Sequence, residues 1–230
     1  MIKFFRQFRK TFIADGKSSQ YFKYAIGEII LVVIGILIAL SINTWYANKK
    51  TNYDKDLVIS KIKEEVKNNS LELEKTNAKN QLISKAFDEY KVFYKGTSSV
   101  VIIAPDELAK LRKKYPGFYT VKDSIQLDSG KYQYSGGSTI ELDIPELTSI
   151  AWKTTQTINI VNEFDYDCLY DLETMYNLQE RVEREINKAA EALQKSDIKA
   201  LFAVLNVLNQ LDSQLLENYN KVLDGIDNCR

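Results

Sequence analysis

Residues Tyr24–Tyr46 read YAIGEIILVVIGILIALSINTWY, and the reading of this stretch decides the rest of the chain. A helix needs about 20 apolar residues to cross the hydrocarbon core of a bilayer. The run from Ala25 supplies them, with Glu28 as its one charged residue. Trp45 and Tyr46 close the run, while Tyr21, Phe22 and Tyr24 open it. Aromatic rings prefer those two interfacial depths. A buried core helix of this length would rarely be apolar on every face. Ala39-Leu40-Ser41 resembles a small-x-small cleavage site, but the long basic leader and long apolar run favour an uncleaved signal anchor.

Charge orients the span. The chain carries 31 basic and 31 acidic residues and no His. Within residues 1–24, Lys3, Arg6, Arg9, Lys10, Lys17 and Lys23 face Asp15 alone, a net +5 that leaves −5 for the remainder. The other flank offers Lys49, Lys50 and Lys55, diluted by Asp54 and Asp56. Lys and Arg collect on the cytoplasmic side. The N-terminus is therefore expected in the cytoplasm and the main domain outside it, which in a bacterium with two membranes makes this an inner (cytoplasmic) membrane protein with its main domain in the periplasm. Upstream, Ile2, Phe5, Phe8 and Phe12 recur at helical spacing among Lys3, Arg6, Arg9 and Lys10, the pattern of a basic amphipathic helix lying on membrane lipid. An acidic body behind a basic tip argues against nucleic-acid binding.

Within the span, Gly35 and Ala39 form a small-xxx-small pair that lets two helices approach closely. Glu28 lies two turns before Gly35 on nearly the same face, and Asn43 extends that face. A carboxyl group inside a membrane faces protein or water, although Glu28 also lies near enough to Lys23 to reach the headgroups. Glu28, Gly35, Ala39 and Asn43 are accordingly expected to line a helix–helix interface, in a homo-oligomer or with other membrane-protein subunits. Phe5, Phe8, Phe12, Arg6, Arg9, Lys10, Trp45 and Tyr46 are expected at the membrane interface.

The block YFKYAIGEIILVVIGILIALSINTWYANKK, residues 21–50, with its Phe-rich basic leader, resembles the start of an uncharacterised single-pass inner-membrane family of Bacteroidota. In that family such a segment introduces a helical extracytoplasmic domain. LTSIAWKTTQT and YDLETMYNLQERVE, further along, are similar to it, whereas residues 96–145 depart from it. The resemblance implies an envelope location and brings no established activity.

The body reads as mainly α. Residues 47–95 are expected to form a long stalk helix, without Gly or Pro from Asn52 to Tyr94, carrying an interrupted stripe of Leu57, Ile62, Val66, Leu73, Leu82, Ala86, Phe87, Tyr90 and Phe93. A break is expected near Asn68-Asn69-Ser70 and an end at Gly96. Residues 96–145 read as a loop-rich insert with a small hairpin: SSVVIIA as a strand, PDELAKLRKKY as a short helix, and alternation in FYTVKDSIQL and KYQYSGGSTIEL. Residues 146–230 complete an antiparallel helical bundle, with Pro145 opening one helix, a second over 163–194, and a third capped by Ser196 or Asp197. The expected organisation is thus leader 1–23, span 24–46, stalk 47–95, insert 96–145 and helical segment 146–230.

Candidate chemistry is sparse. Without His there is no Ser–His–Asp triad, no Cys–His pair and no His-ligated metal. Asp165, Asp167, Asp171 and Glu173 crowd together, but an acidic helix start complements the helix dipole and no EF-hand pattern is present. Cys168 and Cys229 are open to disulfide formation outside the cytoplasm, to burial as a small core residue, or to a free tail. Phe118, Tyr119, Tyr132 and Tyr134 suit either an aromatic ligand surface or hairpin packing. No catalytic residue, cofactor or metal ligand is assigned. The expected role is a non-enzymatic structural or interaction subunit of the envelope. The alternatives are a periplasmic small-molecule sensor or accessory subunit of a transport or signalling complex, and, behind it, a Tyr- or carboxylate-dependent envelope enzyme.

Overall fold

The computed structural model describes residues 18–127 and 130–229. The leader residues Phe5, Arg6, Phe8, Arg9, Lys10 and Phe12 lie outside them. The chain is mainly helical with a small antiparallel sheet, and it divides into two units, Met1–Asp54 and Lys55–Arg230.

Helix α1 runs unbroken over Ser18–Tyr90, 73 residues. No break occurs at Asn68–Ser70, because Asn69 turns its amide inward to partners on other elements and does not compete for its own backbone. In the first unit the apolar window has a mean hydropathy of 2.8 and none of it is buried. It is the one helix among the described residues that is long and apolar enough to cross a membrane. Ser41 donates to the Leu37 carbonyl one turn back at 2.8 Å, so its hydroxyl adds no unsatisfied group to an apolar face.

The second unit packs the rest of α1 with three further helices: α3 (Ile150–Thr157), α4 (Tyr166–Gln194) and α5 (Ile198–Gly225). Asp165 caps α4 by accepting from Cys168 N at 2.9 Å, and Asp197 caps α5 by accepting from Ala200 N at 2.9 Å. Ser196, the other candidate cap, instead takes a left-handed backbone at φ 54° in the tight link between the two helices. Ile62, Val66 and Leu73 of α1 meet Leu172, Met175 and Val182 of α4 and Leu201, Leu205 and Leu215 of α5 in one core. Leu57 and Leu82, expected in the stripe, face outward, 49% and 57% exposed. A disulfide joins Cys168 to Cys229, Cα atoms 5.4 Å apart, tying the start of α4 to the chain just beyond α5.

The insert is more ordered than a hairpin alone. Strands β1 (Tyr94–Lys95), β2 (Thr97–Ile103), β3 (Tyr119–Gln126) and β4 (Tyr132–Ser138) form an antiparallel sheet in the order β1-β2-β4-β3. Helix α2 (Pro105–Lys114) lies between β2 and β3 in sequence. Val101, Ile103, Leu108, Phe118 and Tyr119 bury the C-terminal end of α1 at Ala86 and Tyr90. Phe118, Tyr119, Tyr132 and Tyr134 therefore serve packing or strand pairing here, and Tyr119 donates to the Ser99 and Tyr134 carbonyls at 3.0 and 3.1 Å. Gly96, expected to end α1, has φ 79° in the turn from β1 to β2, five residues after the helix has given way to a short 3-10 turn at Lys91–Phe93.

Pro145 does not start a helix. Residues 139–149 have no regular structure, and α3 begins only at Ile150. Their backbone groups are committed to side chains of α1, as described next.

Candidate functional site

The inward face of α1 presents polar side chains where a helix core normally takes apolar ones. Asn69 and Asn80 are each used as a mimic of a peptide group. Asn69 donates through Nδ2 to the Thr148 carbonyl at 2.7 Å and accepts from Thr148 N at 3.0 Å. Asn80 does the same with Asp143, at 2.8 and 3.0 Å. The extended strap 139–149 is thus hydrogen-bonded to α1 as though to a neighbouring strand, and a helical 145–149 would have to give up the Thr148 bonds.

One turn before Asn69, Glu65 closes the strap's far end. Its carboxylate accepts from Ala151 N at 2.9 Å and more distantly from Trp152 N at 3.4 Å. These are first-turn amides of α3, which have no partner within their own helix. Ser149, the residue at the cap position, makes no side-chain cap. Glu65 therefore caps α3 from another helix, where a negative charge also complements the dipole. Tyr176 of α4 donates to the same carboxylate at 2.7 Å, and its ring stacks on Trp152 with centroids 5.4 Å apart.

Gln179 extends the network. It accepts from Asn69 Nδ2 at 3.1 Å and from the Tyr219 hydroxyl of α5 at 2.9 Å, and it donates to the Thr148 carbonyl and to Glu183, each at 3.1 Å. Glu65, Asn69, Tyr176, Gln179 and Tyr219 are all buried. Burial, reinforced by the Glu65 carboxylate, pushes the Tyr176 hydroxyl far above the ordinary phenol range. Burial and then the Glu183 and Glu65 carboxylates do the same to Tyr219. Both hydroxyls stay protonated and serve as fixed donors.

This hub is built for holding elements together. The cavity beside it, between Trp152, Tyr176, Gln179 and Glu173, measures about 80 Å³, room for two or three waters at roughly 30 Å³ each. A wider groove of about 350 Å³ lies between α1 and the Lys114–Phe118 turn. Its lysines are already engaged, Lys79 with Asp143 and Lys114 with Glu89, each at 2.5 Å. Near the disulfide, Asp165 is spent as a cap and Asp171 pairs with Lys221 at 2.6 Å. No cluster of three or more metal-ligating side chains occurs among the described residues.

The residues expected at a helix–helix interface all lie on the exposed first part of α1. At 100° per residue Glu28, Gly35, Ala39 and Asn43 fall within an arc of about 80°. A Cβ built on Gly35 would meet nothing within 4 Å. Trp45 and Tyr46 are 64% and 66% exposed, and the Lys49 ammonium sits over the Trp45 ring at 5.5 Å. The hub residues were not singled out by sequence reasoning. The available signal was polar residues at core spacing, Asn69, Thr76, Asn77, Asn80 and Ser84, inside an otherwise apolar stripe.

Residues 28–92 match DUF6090, a family of unknown function. The matched stretch starts at Glu28 and ends at Val92, so it takes in the apolar segment together with Glu65, Asn69 and Asn80, and it stops before β2, the strap and helices α3–α5. No curated protein and no solved structure matches the chain.

Proposed function

We propose that this chain is a non-enzymatic, single-pass membrane protein of the cell envelope whose helix α1 both anchors it and joins it to other membrane helices. The N-terminus lies in the cytoplasm and the 55–230 unit in the periplasm, where its helices act as an interaction module. One observation carries the reading: a single helix holds a fully exposed apolar segment long enough for a bilayer and, further along, the polar face that organises a folded core. An anchor that only tethered would not need to be continuous with the core-forming element. The Cys168–Cys229 disulfide supports an oxidising compartment for the second unit.

The test is the native mass of the full chain in mild detergent. In lipid, close packing between helices replaces the hydrophobic drive, so a small residue at the contact matters. The wild type should run as an assembly. Gly35→Leu should reduce it to a smaller species, and Ile34→Leu should leave it unchanged. If both variants assemble like the wild type, the apolar segment is an anchor only. Topology is read separately, by impermeant thiol labelling of Lys10→Cys against Lys188→Cys in intact cells. Labelling of the first site alone reverses the proposed orientation.

A further inference from the structure

The second unit exposes its aromatic residues at one place only. Tyr166 and Tyr170, 77% and 60% exposed, are the exposed aromatic residues of Lys55–Arg230 among the described residues. The other rings of this unit are buried or half-buried, and its remaining exposed large apolar side chains are aliphatic. The two tyrosines lie one turn apart at the start of α4, and their rings pack together with centroids 6.5 Å apart. Elsewhere the exposed aromatic residues are Phe22, Tyr24, Trp45, Tyr46 and Tyr53, on either side of the apolar segment of α1.

Printed contacts fix which end of the unit carries the tyrosines. The Lys55 ammonium donates to the Glu163 carbonyl at 2.5 Å and sits over the Phe164 ring at 5.7 Å. The start of α4 is thereby held beside Lys55, the first residue of the unit. From there α4 follows α1 in the same direction, because Tyr176 meets Glu65 and Gln179 meets Asn69. Ten residues back from Tyr176 and Glu65 are Tyr166 and Lys55. Cα–Cβ bonds of a helix tilt toward its N-terminus, so both rings lean toward this end. Lys55 follows Tyr46 by nine residues of unbroken helix, about 13.5 Å of α1. The headgroup layer outside the hydrocarbon core takes up about 5–8 Å of such a length, and a tyrosine leaning toward the bilayer covers much of the rest.

We infer that Tyr166 and Tyr170 rest against the headgroup layer of a zwitterionic lipid surface, so that the second unit touches the bilayer that α1 crosses. The inference rests on the reading of α1 as a membrane anchor. Tyrosine suits that depth because its ring is apolar while its hydroxyl reaches polar headgroups. The charges at this end select the lipid. Glu163, Asp165 and Asp167 are all exposed around Tyr166, with Lys55 beside them, and this acidic balance opposes an anionic surface but not a zwitterionic one.

The full chain is placed in nanodiscs of phosphatidylcholine brominated near the carbonyl end of its acyl chains, and tryptophan emission is read. Trp45→Phe leaves Trp152, which is 4% exposed, as a constant background. In that background Tyr166→Trp should lose emission to the bromines. Tyr170→Trp, one turn further along α4, should lose less, and Val207→Trp on α5 should lose none. These substitutions are at exposed positions, and the two on α4 keep an aromatic ring, so the fold is retained. The wild type reports the anchor through Trp45. Quenching of Trp45 without quenching of Tyr166→Trp or Tyr170→Trp overturns the inference and leaves the anchor standing; no quenching at Trp45 overturns both. A Tyr166→Trp indole that escapes the bromines but is shielded from aqueous iodide is covered by protein, a second copy or another subunit, and the lipid contact is then refuted. Quenching that arises only when anionic phosphatidylglycerol is added overturns the choice of a zwitterionic surface.

Discussion

Truncating Glu65 to Ala removes the acceptor shared by three elements. Two of its bonds are short, Tyr176 Oη at 2.7 Å and Ala151 N at 2.9 Å, and two are long, Thr148 Oγ1 at 3.3 Å and Trp152 N at 3.4 Å. Hydrogen bonds to a charged group contribute about 1.5–3 kcal/mol each, and a buried donor left without a partner costs about 1–3 kcal/mol. Tyr176 is 4% exposed and cannot turn to water, whereas Ala151 is half-buried and can find some. The expected loss is about 3–5 kcal/mol, the range for removing one partner of a buried charged contact. Glu65→Gln should cost less, about 1–2 kcal/mol, because its carbonyl can still accept from Ala151 N while its NH₂ donates to the Tyr176 oxygen. Tyr176→Phe should fall between the two, and Glu65→Ala combined with Tyr176→Phe should cost less than the sum, since Phe leaves no orphaned hydroxyl.

The assay is denaturant unfolding of the full chain in detergent, followed by tryptophan emission. Trp152 sits inside the hub, while Trp45, the other tryptophan, is 64% exposed on the first unit. A Glu65→Ala midpoint within about 1 kcal/mol of wild type would mean that α3 and the strap hold without the carboxylate. A Gln variant less stable than the Ala variant would refute the assignment of donors and acceptors.

Two further outcomes follow from the fold. A Cβ at Gly136 would lie 1.9 Å from the Thr120 carbonyl oxygen, a backbone atom in the neighbouring strand, so Gly136→Ala should separate β3 from β4 at a cost of about 3 kcal/mol; Gly137→Ala, whose Cβ meets nothing within 4 Å, is the control, and equal hydrogen exchange of β3 and β4 in the two variants would contradict the structure. The Cys168–Cys229 bond closes a loop of 61 residues, so chain entropy assigns it about 4 kcal/mol, and a reductant or paired Cys→Ser changes should lower the denaturant midpoint accordingly; an unchanged midpoint would show that the bridge is not formed in the native protein.

What could be read from the chain was local. The apolar run of α1, the cap at Asp197 as one of two neighbouring candidates, the strand patterns of β2–β4 and the leucine face of α5 each depend on residues within a few positions of one another. The misreadings share one cause. Asn68-Asn69-Ser70 looked like a helix break because Asn and Ser compete for nearby backbone, and Pro145 looked like a helix start because proline suits the first turn. Both propensities were overridden by a partner far away in sequence: Asn69 bonds to Thr148, 79 residues on, and α3 waits for Ile150 because its cap, Glu65, lies 86 residues before Ala151. Periodicity carries no record of such pairings. It also said nothing of the outward turn of Leu57 and Leu82, which pattern alone placed in the core.

The strap nevertheless obeys a simple measure that links the two kinds of element. Asn69 and Asn80 are eleven residues apart, about three helical turns, so they return to nearly the same face and are separated by about 16.5 Å along α1. Their partners Thr148 and Asp143 are five residues apart in extended chain, which at about 3.3 Å per residue spans the same length. Two side-chain amides on a helix therefore match the repeat of an extended segment running antiparallel to it, and Glu65, one turn further on, meets the amides where that segment becomes α3. A slip of one residue would carry the strap about 3.3 Å along α1, past the reach of a hydrogen bond at both asparagines together. Polar residues in the core of α1 thus lose apolar burial but fix a single register for the strap, for α3 capped by Glu65, and for α4 and α5 through Tyr176, Gln179 and Tyr219. An apolar stripe alone would permit neighbouring registers of nearly equal energy, and the polar contacts of α1 within the second unit single one of them out.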